Sequence, residues 1–328
     1  MKLTLVIPVY NGSAHIVRCL DSLLRQTYRD FEVLLFDDGS RDDSAAVIER
    51  YSREHPELAL TLIRQENRGV AETRNAGIER ADTEYIGFID QDDFIESNYL
   101  ESYVRAMESS GADIVCGGYV RYDAENGKAL RRVSLTDDPW GRFVVVSPWA
   151  HLYRTAFLKR HPVRYLKTAI GEDVYFTLLA YAYTDRIATI PDTGYYWVDN
   201  PLSHSNHNQK KADKAIDPFI LLDALKRDLP ADGHIDRTCL QYFMYRYVVW
   251  YLLFTVRRTP RATVAAQYDR LMAWLGREYP GFDRNGMISL FGPPGEPLSI
   301  RLSVWGFTRL YHLRLARPLL RLLAARDE

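Results

Sequence analysis

Asp90, Asp92 and Asp93 stand within four positions at the end of "YIGFIDQDDF" (Tyr85 to Phe94), where an apolar run reading as a buried strand breaks into charge. Carboxylates this close repel one another, so a positive partner is expected: arginines, a divalent cation, or both. Hard oxygen donors favour Mg2+ or Mn2+, ions that keep waters and bind phosphate oxygens as well. Asp90 and Asp92, two apart, can converge on one ligand from a turn. A metal bridging them to a diphosphate would supply the missing charge. The competing reading is a solvated acidic turn.

A second acidic run, "DDGSRDDS" (37–44), places four acids within seven residues. Asp and Ser here can cap the following helix, although capping needs one acid rather than four. The alternative is recognition, because a carboxylate such as Asp38 can accept from a base-edge N–H or a ribose hydroxyl. "VIPVYNG" brings Pro8 and Asn11 to the end of a first strand. In "ENRGVAETRNAG", Arg68 and Arg74 flank the start of a helix whose free N–H groups and positive dipole end suit a phosphate. Neither a Walker A sequence nor GxGxxG occurs, which withdraws support from ATP hydrolysis and dinucleotide redox chemistry.

Positioning these residues falls to an α/β framework. Over residues 1–120, short apolar runs ("LTLVIPVY", "FEVLLFDDGS", "ALTLIRQE", "EYIGFIDQDD", "ADIVCGGYV") alternate with segments apolar at helical spacing. That pattern predicts a mostly parallel sheet flanked by helices. Right-handed crossovers gather the strands' carboxyl ends on one edge, where ligands bind. Residues 121–215 are less regular, and 216–328 read as mainly helical. The expected organisation is a domain over 1–215, its first 120 residues for the nucleotide and 121–215 for the acceptor and base, with a helical region over 216–328.

Composition sets wide bounds. With 328 residues, 47% hydrophobic, 26% charged and a net charge of −1, the chain suits a globular protein and carries no general bias toward nucleic acid. Cys19, Cys116 and Cys239 form no CxxC pair, which argues for a reducing compartment and against a disulfide framework or zinc site. The opening "MKLTLVIPVY" turns polar too soon for a signal peptide. The longest apolar run, Tyr247 to Val256, is about half of the roughly 20 residues a bilayer crossing needs. A cytoplasmic protein is expected, in solution or peripheral on the inner face of the cell membrane.

Taken together, "VIPVYN", "DDGSRDDS", "NRGVAETRNAGIERADTEYIGFIDQDD" and the later "GEDVYF" resemble family 2 glycosyltransferases with the GT-A fold, densely over roughly residues 3–115 and in the family's order. The resemblance implies transfer of a sugar, with inversion, from a nucleotide-sugar (commonly a UDP-sugar) to an acceptor hydroxyl. It implies that Pro8 and Tyr10 line the base pocket beside Asn11, that Asp38 holds uracil, and that Arg74 lies near the donor. Asp92 becomes the direct ligand of Mn2+ or Mg2+, with Asp90 nearer the ribose or sugar. Gln91 replaces the family's common serine or alanine and could touch the sugar. Asp173 becomes the base that deprotonates the acceptor, beside Glu172, although a lone pair of acids also suits a helix start. Trp197 sits where an arginine is frequent. His204 and His207 are candidates for a further metal ligand or a diphosphate contact. Trp149 and Tyr153 in "PWAHLYR" could stack on a sugar or pack in the core.

In the tail, Arg309, Arg314, Arg317 and Arg321 fall on one side of a helical wheel, with Pro318 expected to interrupt the helix. A basic amphipathic helix can lie on an anionic membrane or pack on its own domain. The membrane reading fits a saccharide or lipid-linked acceptor in surface-polysaccharide assembly. Rival readings are a nucleotidyltransferase that makes a nucleotide-sugar and a non-catalytic nucleotide-binding scaffold. A glycoside hydrolase ranks lower, since it needs no nucleotide pocket.

Overall fold

A computed structural model of the protein describes residues 1–199 and 217–325. Strand β1 (Leu3–Val9) is almost wholly buried, as its mainly apolar sequence requires of a central strand. Strands β2 (Phe31–Asp38) and β4 (Tyr85–Phe88) pair parallel on either side of it, and β3 (Leu60–Gln65) pairs parallel with β2. Helix α1 (Ile16–Leu24) buries Ile16, Cys19, Leu20 and Leu23, one face at helical spacing. The next two helices are α2 (Ser44–Glu54) and α3 (Val70–Arg80).

Helix α3 approaches β1 so closely that a Cβ on Gly77 would stand 2.5 Å from Val6 Cγ1. This contact fixes the depth of the helix that carries Arg74. Gly77→Ala is expected to overpack it, at a cost of about 1–3 kcal/mol. Denaturant titration checks this: an unchanged midpoint would mean that α3 retreats freely.

Helix α4 (Tyr99–Ser110) leads to β6 (Ile114–Cys116). The segment "ADIVCGGYV" divides at Gly117–Gly118, so that β6 joins the large sheet while β7 (Tyr119–Asp123) enters another. Two later strands, β9 (His151–Arg154) and β10 (Ile187–Thr189), complete the large sheet, in the order β10-β6-β9-β4-β1-β2-β3 among the described residues. The expected parallel arrangement holds for β3-β2-β1-β4 and for β10-β6, but β9 inserts antiparallel between β4 and β6. A smaller sheet runs β5 (Phe94–Ile95), β11 (Tyr195–Val198), β7 and β8 (Lys128–Val133).

Short helices α5 (Gly141–Val144) and α6 (Thr155–Arg160) precede α7 (Glu172–Ala182). The C-terminal part is helical: α8 (Phe219–Asp228), α9 (Arg237–Thr255), α10 (Arg261–Glu278), α11 (Leu298–His312) and α12 (Ala316–Leu323). One buried cluster runs from Val6, Phe36 and Phe88 through Phe176 to Leu221, Tyr245 and Phe307. Residues 1–199 and 217–325 therefore share one packed interior.

The single basic helix expected in the tail is two helices. The chain breaks at Leu313–Leu315, with Arg314 in the left-handed region at φ +60°, and Pro318 falls in the first turn of α12 rather than interrupting a helix. Arg317 pairs with Asp269 of α10 at 2.8 Å, and Arg309 lies over the Trp305 ring. The four arginines thus share no one helix face. Among the described residues, no helix is long and apolar enough to cross a membrane.

Candidate active site

The loops following β1 and β2 are laced together. Asn11, held at φ +49°, donates its N–H to Ser40 Oγ (3.0 Å) and accepts at Oδ1 from Arg41 N–H (2.9 Å). Gly12 N–H donates to Ser44 Oγ, and Ser13 N–H to Asp42 Oδ2. Burial opposes ionisation of Asp42, but the hydrogen bonds from Ser44 and Ser13 outweigh it and hold the carboxyl down at about 2. Asp37 accepts from Ser40 N–H. The acidic run therefore serves turn geometry with more than the one acid that capping was expected to need.

Asp38 is buried at the end of β2. Its Oδ1 accepts from Gln65 Nε2 and Arg68 N–H, and its Oδ2 from Gly69 N–H, each at 2.8 Å. Two backbone donors just before α3 are thus taken by a side chain of the protein itself. Tyr10 is exposed and Pro8 half-buried at the end of β1. Gln91 accepts from Tyr10 N–H and donates to Tyr10 C=O, both at 3.0 Å. Its amide fastens the "DQDD" turn to the β1 loop.

The repulsion expected among Asp90, Asp92 and Asp93 is met differently at each. Asp93 is buried; it accepts from Tyr195 O–H at 2.7 Å and from Val198 N–H at 2.8 Å. Burial first, then Asp90 and Asp92, push its carboxyl well above the usual range, which lessens the repulsion. Asp90 is paired: Arg74 Nη2 donates to its Oδ1 at 2.6 Å. Asp92 is left half-buried on the same turn, with its backbone carbonyl held by Arg18. Tyr195 Oη also accepts from Asp90 N–H, so β11 fixes both ends of the turn.

Arg74 has a second carboxylate partner besides Asp90. Its other terminal nitrogen, Nη1, donates to Asp173 Oδ1 at 2.6 Å, so one buried guanidinium joins the turn after β4 to the start of α7. The guanidinium lies over the Tyr165 ring, which stacks on Phe176 with centroids 4.0 Å apart. Gly171, at φ +83°, turns the chain into α7 and presents Glu172 and Asp173 in its first turn. Burial pushes the Asp173 carboxyl up to about 7; Arg74 pulls against it, while Glu172 and Asp90 add to it. Asp173 thus has the proton affinity of a base that works near neutrality.

Other expected residues lie apart from this centre. Trp149 is buried and stacks on Tyr195 with centroids 4.4 Å apart, and Tyr153 is wholly buried. Both are core residues, the second of the two readings open for them, so Trp149 is not placed to meet a sugar. Trp197 is half-buried on β11, beneath the guanidinium of Arg121. His204 and His207 lie outside the described residues. Sequence reasoning missed the positioning roles of Asp93, Tyr195, Arg18 and Tyr165; the one available signal was a third acid directly before an apolar residue, with no role among its neighbours.

Asp90 and Asp92 offer hard oxygen donors separated by one residue, which suits Mg2+ or Mn2+ in type. Among the described residues no third His, Cys, Asp or Glu completes a cluster with them. The donor set fits an ion that takes its remaining ligands from phosphate and water.

Comparison with known proteins bears on the family and the fold. The glycosyltransferase EpsJ of Bacillus subtilis is 31% identical over 215 residues, covering 61% of this chain and 62% of EpsJ. Glycosyltransferase GlyA of Streptococcus pneumoniae is 28% identical over 204 residues, covering 57% of this chain but 29% of GlyA. The chain thus spans less than two thirds of either relative. The crystal structure of Staphylococcus aureus TarS 1–349 in complex with UDP-GlcNAc superposes with a TM-score of 0.69 at 20% identity, over 96% of this chain and 92% of that one. The shared fold is GT-A. The description "Glycosyl transferase family 2" matches residues 4–170, and with half its length so matched the chain belongs to that family.

Proposed function

We propose that the protein is an inverting, metal-dependent glycosyltransferase that moves a sugar from a UDP-sugar to an acceptor hydroxyl in surface-polysaccharide assembly. The observation that carries this reading is the Asp90–Arg74–Asp173 bridge, which sets a proton acceptor beside the turn suited to a diphosphate-bound cation. The acceptor oxygen forms a bond to the anomeric carbon as the bond from that carbon to the diphosphate oxygen breaks. The hydroxyl proton passes to Asp173, and UDP leaves with the bonding electrons. Asp92 and Asp90 would hold Mn2+ or Mg2+, which when bound stabilises the charge on the departing diphosphate. Arg74 holds Asp173 in one orientation. The UDP-GlcNAc bound by TarS supports a UDP-sugar as donor, with Pro8, Tyr10 and Asn11 closest to the base and Asp38 behind them. Glu172 and Trp197 belong to the acceptor side.

Release of UDP from a panel of UDP-sugars, with manganese and with a chelator, tests this reading. Manganese-dependent release from at least one donor is expected, and none from any donor would overturn it. The exposed Leu302, Leu315 and Leu322 beside the tail arginines support contact with an anionic membrane from the cytoplasmic side. Cosedimentation with phosphatidylglycerol vesicles checks this, and failure to sediment would remove the membrane contact alone.

A further inference from the structure

A cavity of about 580 Å³ opens at the first turn of α7, where Glu172 and Asp173 form its polar end. Away from those acids its walls are mainly apolar, with Val146, Val174, Phe243, Leu253 and Ile300 among them and Ser147, Tyr247 and Ser303 as polar exceptions. Arg246 also borders it; its charge is matched by the buried Glu296, whose two carboxylate oxygens accept from Nη1 at 3.0 and 3.1 Å. Leu253 and Ser303 are shared with a second hollow of about 190 Å³ between α9, α11 and α12, lined otherwise by Gly306, Phe307, Leu310 and leucines of α12. The two hollows thus adjoin at Leu253 and Ser303, and together they form a mainly apolar trough reaching from Asp173 to α12.

We propose that this trough holds the hydrocarbon chain of an amphipathic acceptor whose hydroxyl stands at Asp173. The inference rests on the transferase reading above and names the acceptor's class. A bare oligosaccharide is a poor occupant, because every buried hydroxyl requires a hydrogen-bond partner and these walls offer few. An alkyl or isoprenoid chain asks for none and gains about 0.8 kcal/mol per methylene removed from water, a fourfold change in affinity. The opposite characters of the two ends, carboxylates at one and leucines at the other, match a molecule with a polar head and an apolar tail.

Calorimetric titration of the full chain with n-alkyl β-D-glucosides, methyl to decyl and each below its micelle concentration, tests the inference. Affinity should climb two- to fourfold per methylene and then level off as the trough fills. Gly306→Phe should flatten that climb by at least tenfold at decyl; no atom lies within 4 Å of a Cβ built at Gly306, so the ring has room to enter the hollow. Ser303→Trp, where the two hollows meet, should act likewise, with wild-type melting temperatures showing that both variants fold. Equal binding of methyl and decyl glucosides would overturn the inference, as would binding to phosphatidylglycerol vesicles without binding to the monomeric glucosides. UDP release without acceptor, measured on the same protein, keeps the two readings apart. Release without chain-length dependence sinks the acceptor inference alone, whereas chain-length dependence without release from any donor sinks the transferase reading.

Discussion

Asp173→Asn is expected to lower turnover by about 10²–10⁴-fold, the usual contribution of a positioned general base, while UDP-sugar binding stays near wild type. Asparagine preserves the shape and still accepts from Arg74 Nη1, so the bridge to the turn after β4 survives in part. What disappears is the ability to take the acceptor's proton. The pH profile gives an independent reading. Because burial raises the Asp173 carboxyl to about 7, the competent ionised form is scarce at pH 5 and dominant above pH 8. The wild-type rate should therefore rise with pH through about 7 and level off, and the variant's residual rate should lack that limb. A variant with near-normal turnover, or one keeping the same limb, would place the base elsewhere.

Arg74→Leu is expected to reduce both stability and activity. Its removal leaves Asp90 and Asp173 facing each other without the guanidinium that joins them. Breaking a buried pair costs about 3–5 kcal/mol; with side chains 29% and 26% exposed, water screens part of the loss and a value near the lower end is expected. The sign with pH follows from the direction of Arg74's effect, which lowers the Asp173 carboxyl. Without it the folded-state carboxyl titrates higher still above its unfolded range, so the folded variant binds protons more tightly and loses stability as pH rises. The gap in melting temperature should thus be small near pH 4 and widest above neutrality, and the rising limb of any residual rate should move to higher pH. Arg74→Lys keeps the charge, but one ammonium cannot reproduce a planar fork reaching two carboxylates. It should recover more stability than turnover. Equal melting curves for wild type and Arg74→Leu at pH 8 would show that the bridge contributes little.

Both substitutions act on residues that the sequence displays openly. Asp90, Asp92, Arg74 and Asp173 lie in local patterns whose order along the chain matches a family, and the alternation of strands and helices predicts the edge at which Asp90 and Asp92 stand. Partnership was less legible. Asp38 looks as available for a ligand as Asp92 does, and only the fold reveals that Arg68 and Gly69 return to occupy it. Gln91 meets Tyr10 across 81 positions, and Asp93 meets Tyr195 across 102. No window of sequence contains either pair. The antiparallel β9 was hidden for the same reason: "HLYR" is four residues long, too short for a period, and its place is set by strands on both sides. The tail misled because a helical wheel presumes an unbroken helix, while Arg314 adopts a left-handed backbone that ends one.

The apolar cluster shared by the sheet and the C-terminal helices has a consequence for how such enzymes diversify. Helices that met the sheet only through a linker could be exchanged between relatives like attachments. Here Leu221, Tyr245 and Phe307 belong to the same interior as Val6 and Phe88, so a transplanted set would have to bring side chains complementary to its host's α7. New acceptor preferences should then arise by point changes along the trough, with the two parts inherited together and melting as one cooperative body.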